Sequence, residues 1–218
     1  MKDIDGIKYY SPIEEKINIL SHAVGFILSI VALVLLVTHA TQQGGVRHIV
    51  SFSIFGASLI ILYAASTLYH SAKKSKLRNR LKIIDHASIY VLIAGTYTPF
   101  ALVTLKGRIG WMIFGISWGL ALTGIILKLF FTGKYNLIST IMYVLMGWVI
   151  VFAIKPLINN LPLEGLLWLI AGGISYTIGA ILYSIKKIKF NHAIFHMFVL
   201  NGSFCQFMSV FFYVLPSE

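Results

Sequence analysis

Long apolar runs alternate along the chain with short polar breaks. Seven runs can be marked, at about 17–40, 48–70, 83–105, 109–131, 137–154, 163–185 and 192–215. Each holds roughly 18 to 24 residues, enough to cross a hydrocarbon core as a helix. Stretches such as GFILSIVALVLLV are apolar on every side, which predicts helices rather than barrel strands, whose segments are short and alternate in polarity. The breaks have local causes: TQQGG, the basic SAKKSKLRNRLK, KGR, TGKYN, Pro156 with NNLP, and KKIKFN follow the first six runs in turn. Pro99 falls inside the third run and predicts a kink there. The expected fold is all-α: a polar N-terminal segment over residues 1–16, then a seven-helix transmembrane domain over 17–215.

Composition agrees with this pattern. Of 218 residues 58% are hydrophobic and 11% charged, with a mean hydropathy of +0.84, whereas a soluble domain has about a quarter of its residues charged. The loops leave no room for a soluble catalytic domain, so any chemistry belongs to the helices. The lone Cys205 implies neither a disulfide within the chain nor thiol chemistry. The N-terminus lacks a short basic region running directly into an apolar core, so the first span is expected to be retained.

A net charge of +11 could suggest nucleic acid, but the placement of the 18 basic residues argues against it. Lys2, Lys8, Lys16, Lys73, Lys74, Lys76, Arg78, Arg80, Lys82, Lys128, Lys134, Lys186, Lys187 and Lys189 fall on one side of the expected bundle. Arg47, Lys106, Arg108 and Lys155 fall on the other. This bias puts the N-terminus in the cytoplasm and, after seven crossings, the C-terminus outside. Anionic lipid headgroups become the expected partners of the basic loops.

Polar residues are expensive in a membrane, so those at the spans carry the functional signal. Apart from the acidic residues near the two chain ends, only Asp85 and Glu164 remain, and Asp85 sits at the cytoplasmic mouth of the third span in IIDHASIYV. It reads equally as an anion at a helix N-terminus facing a cationic loop. His70 ends the second span in STLYH, and His192 and His196 open the seventh in HAIFH, all at that same level. The last two, at i and i+4, project from one helical face about 6 Å apart along the axis. Three imidazoles with an open fourth position are the ligand set of a catalytic zinc, and no cysteine or carboxylate cluster points to another ion. Ser66 precedes His70 by one turn on the same face, although a membrane serine often bonds its own helix backbone. His22, with Asn18 and Ser21, lies at the same level and could support the ligands or serve helix packing. His86 is turned about 100° from Asp85, and His39 and His48 lie at the opposite end.

The patterns EEKINILSHAVG, STLYHS, DHASIYVLIAGTYTPF and HAIFH together resemble the progestin and adiponectin receptor (PAQR) family and, within it, the bacterial hemolysin III group. The resemblance covers nearly the whole chain. It implies Zn2+ on His70, His192 and His196, an acidic residue at Asp85 and a serine at Ser66. It also implies kinship with alkaline ceramidases, and a multi-pass protein of a bacterial cell membrane. The long N-terminal domain of the animal receptors is missing, so hormone binding is not carried over. The expected function is a zinc-dependent hydrolase of a lipid amide or ester, with Asp85 handling a water proton and Ser66 hydrogen-bonding the water or the developing oxyanion. The alternatives are a membrane sensor or regulator with a structural zinc, and a hemolysin-type pore. A pore would need a polar stripe along several helices, and the midplane segments offer none.

Overall fold

The computed structural model describes residues 2–4, 7–132 and 136–215. Parts of the N-terminal segment and of the TGKYN break, and the stub 216–218, lie outside them. A short antiparallel hairpin, β1 (Lys2–Ile4) and β2 (Ile7–Tyr9), precedes the helices. Eight helices follow: α1 (Pro12–Gln43), α2 (Val46–Ser71), α3 (Ser75–Pro99), α4 (Gly107–Phe131), α5 (Asn136–Gly147), α6 (Ile154–Asn160), α7 (Leu163–Ser184) and α8 (Asn191–Ser209). With their extensions they make seven helical rods long and apolar enough to cross a membrane.

Local sequence sets the ends. Ser11 caps α1 by accepting the Glu14 N–H, Pro12 begins the helix, and Glu14 and Glu15 sit in its positive first turn. The third rod begins at Ser75, so most of the basic stretch read as a loop is helix, and its Arg78 is buried.

Pro99 changes the winding of the third rod. Residues Phe100–Thr104 form a π-helical turn closed by Leu105 N–H on the Phe100 carbonyl. A wider turn accommodates the missing proline donor and its ring. Pro156 likewise does not end the fifth rod: it falls in the first turn of α6, where its missing N–H is harmless. The real break lies at Gly147–Trp148, where α5 gives way to 3-10 turns over Val149–Ala153. Tyr97 supports it. Its hydroxyl lies 2.9 and 2.7 Å from the carbonyls of Met146 and Gly147 and accepts the Ile150 N–H at 3.1 Å. Backbone groups freed in a membrane need such partners.

The rods form a ring. α1 packs between α2 and α8, α3 between α2 and α4, α5 touches α3 and α7, and α7 packs along α8. The polarity is inverted relative to a soluble bundle: α1 buries Glu14, Asn18, His22 and Ser29 and exposes Leu20, Val24, Ile27 and Val31. Small residues allow close approach, as at Gly124, where a Cβ would collide with the Tyr90 ring. Inside the ring is a mainly apolar cavity of about 190 Å³.

Candidate metal centre

Three histidines converge at the end of the bundle that carries the start of α1. His70 comes from the last turn of α2, and His192 and His196 from the first turns of α8. Phe190, in a left-handed conformation (φ 56°), turns the chain into α8 just ahead of this pair. All three are buried. Nε2 of His192 lies 3.0 Å from Nε2 of His70 and 3.1 Å from Nε2 of His196. Nitrogens held on one tetrahedral zinc by bonds of about 2.05 Å would stand about 3.3 Å apart. The spacing therefore fits a shared ion after small adjustments.

The opposite ring nitrogens support the same reading. Nδ1 of His70 donates to Oε2 of Glu15 at 2.7 Å, which fixes its proton there and leaves the Nε2 lone pair facing the other rings. Asn18 places its side-chain amide 3.5 Å from the same Nδ1. Ser21 donates its proton to the Asn18 carbonyl at 3.1 Å, so its oxygen lone pairs face Nδ1 of His196 at 3.4 Å. His22 stacks on His196 with ring centres 3.5 Å apart and meets Tyr63 edge-on. Both histidines lie in the wall of the cavity.

Glu15 was missed by the sequence reading, which grouped it with the polar residues before the first span. It holds His70 with one oxygen and pairs with Arg78 through the other. Arg78 lies between the rings of Tyr9 and Tyr69, 4.5 and 4.7 Å from their centres. Its guanidinium donates to the carbonyls of Tyr69, His70 and Ala72 at 3.3 Å each, at the end of α2 where carbonyls run short of helical partners. Arg78 thus fixes both Glu15 and the turn that carries His70. Tyr10 stacks on His192 with centres 4.6 Å apart, and its backbone N–H donates to Glu15 Oε1 at 3.2 Å. No spacing rule could have joined residues more than fifty positions apart; the one available signal was an acidic pair in the first turn of a membrane helix.

Asp85 is buried on α3 and lies outside the three-histidine group. It accepts a hydrogen bond from Ser66, and the two residues line the cavity together with His192 and His196. His86 lines the same cavity, with its carbonyl accepting from Tyr143 at 3.0 Å. His39 and His48 belong to the opposite end: the first bonds the Leu215 carbonyl and the second accepts the Gly45 N–H.

The family model described as "Haemolysin-III related" matches residues 10–207. Hemolysin-3 of Bacillus cereus is 49% identical over 204 residues, covering 94% of this chain and 93% of that one. The hemolysin-3 homolog of Bacillus subtilis (strain 168) is 50% identical over 200 residues, covering 92% and 94%. The human monocyte to macrophage differentiation factor, a PAQR protein, is 30% identical over 174 residues, covering 75% and 70%. With seven membrane-length helices and a family model spanning nearly its whole length, the chain is a multi-pass integral membrane protein that belongs to the haemolysin-III related family, within the wider PAQR group.

Proposed function

We propose that this protein is a zinc-dependent integral-membrane hydrolase of a lipid amide or ester. The observation that carries the reading is the shared cavity: His192 and His196, which converge with His70, line one apolar chamber together with a buried Asp85 and Ser66. His70, His192 and His196 would hold the ion, and zinc bound there would supply Lewis-acid polarisation of a carbonyl and acidify a water. Asp85 takes the proton from the attacking water, with Ser66 holding its carboxylate in position. The apolar wall formed by Leu62, Ile89, Leu92, Ile93 and Val199 receives acyl chains and keeps bulk water out. Glu15 and Arg78 keep the His70 ring turned toward the other two.

The N-terminus, the histidine end and the basic stretch before Asp85 face the cytoplasm in this proposal. The one-sided placement of the basic residues supports it. The names of the bacterial relatives suggest lysis, but mainly apolar cavity walls offer ions no polar path, which favours hydrolysis over a pore.

The test is a metal analysis of the purified protein combined with a product survey of membrane lipids incubated with it. One zinc per chain and release of a fatty acid are expected. The His192→Ala, His196→Ala double variant should lose both, since a single imidazole seldom holds zinc against competition. Full zinc content in that variant would remove the site assignment. Zinc without turnover of any lipid would leave a sensor with a structural ion.

A further inference from the structure

Lys128 has no evident counter-charge, although it is one of the most deeply buried cations in the chain. It sits in the last turn of α4, 4% exposed, and its ammonium donates to Oγ of Ser139 on α5 at 2.6 Å. The Tyr143 ring is 5.9 Å away. Lys128, Ser139, Thr140 and Tyr143 line the same cavity as Ser66, Asp85, His192 and His196.

No carboxylate of the described residues answers this charge. Among the described residues the ion pairs are those of Glu15 with His70 and Arg78. Asp85 is bonded to Ser66, and Glu164 begins α7, at the opposite end of the bundle. The charge that acts on it is that of Lys82, of the same sign. A helix C-terminus favours a cation, but that explains its place along α4 and not its burial against a cavity. An ionisable group inside a membrane protein ordinarily has a functional partner, because burying a charge without one is costly.

We propose that Lys128 and Ser139 form an oxyanion subsite at the mouth of the cavity and hold the phosphate of an acyl lipid whose chains occupy the apolar chamber. This rests on reading the chamber as a lipid site and narrows the substrate class from neutral to phosphate-bearing lipids. The position suits it: the last turn of α4 and the first turn of α5 lie at a rod end, where headgroup phosphates are found. Lysine binds phosphate as a compact point charge, and the walls beyond it are too apolar for a free ion to be the main occupant.

The experiment measures equilibrium binding of radiolabelled dioleoyl phosphatidate and of dioleoylglycerol to the full-length protein in micelles of a phosphate-free maltoside detergent. Phosphatidate should bind about tenfold more tightly or better, the size of one charge-assisted hydrogen bond. Lys128→Met should bring the two lipids to within about twofold of each other, and Lys128→Gln should behave alike. Both remove a buried charge, and elution as a single sharp species shows that each has folded. Equal affinities in the unmodified protein, or a preference that survives both substitutions, would overturn the subsite. Displacement of phosphatidate by millimolar inorganic phosphate would overturn its assignment to a lipid. Because no turnover is measured, failure of the hydrolase reading leaves this result intact, and hydrolysis of a neutral lipid without any charge preference would defeat only the subsite.

Discussion

Glu15 shows how much of the centre depends on a residue that touches no substrate. Its bond to Nδ1 of His70 decides which nitrogen of that ring is free to act as a ligand. Glu15→Gln keeps the size and replaces the anion with a neutral amide. Zinc affinity, measured by chelator competition, should fall about 10- to 100-fold. Asp85 makes the complementary case. Asp85→Asn should leave zinc bound and lower lipid turnover about 10²- to 10⁴-fold, the usual range for a general base. If Asp85, ten residues into α3, took no part in the chemistry, the same variant would keep its activity; zinc content and rate on one sample decide between the two. The histidines and Asp85 were legible in the sequence because such residues are rare in apolar runs. Glu15 and Arg78 were not, since each sits among residues of its own charge where a solvated surface role would be expected.

At the scale of elements, the sequence predicts rods well and their internal breaks poorly. The apolar runs are long enough that hydropathy alone marks all seven. Proline, the usual breaker, was a poor guide: Pro99 widens a helix and Pro156 opens one, while the interruption of the fifth rod occurs at Gly147. What makes that interruption tolerable is a side chain from another rod. Tyr97→Phe removes the hydroxyl that serves Met146, Gly147 and Ile150 and leaves backbone groups unsatisfied. A loss of about 1–3 kcal/mol is expected from thermal unfolding in detergent, with zinc content unchanged because Tyr97 makes no contact with the histidines. An unaltered melting temperature would show that the break is satisfied in another way.

For the whole molecule, the distribution of charge carries the orientation. A reporter fused after Glu218 should be active only on the outer side of the membrane, and one placed near Lys74 only in the cytoplasm. A cytoplasmic signal from the C-terminal fusion would mean that the number of crossings is even.

The sources of the three ligands also bear on how the protein is made. One imidazole comes from the second rod and two from the last, while their supports, Glu15, Asn18 and Ser21, lie on the first. A chain still emerging from the ribosome holds Glu15 and His70 in place early but has a single ligand until nearly the whole polypeptide is synthesised. Under the proposed ligand assignment, metal capture would be a late event that joins the first rods to the last, and a prematurely terminated chain would be left without the ion.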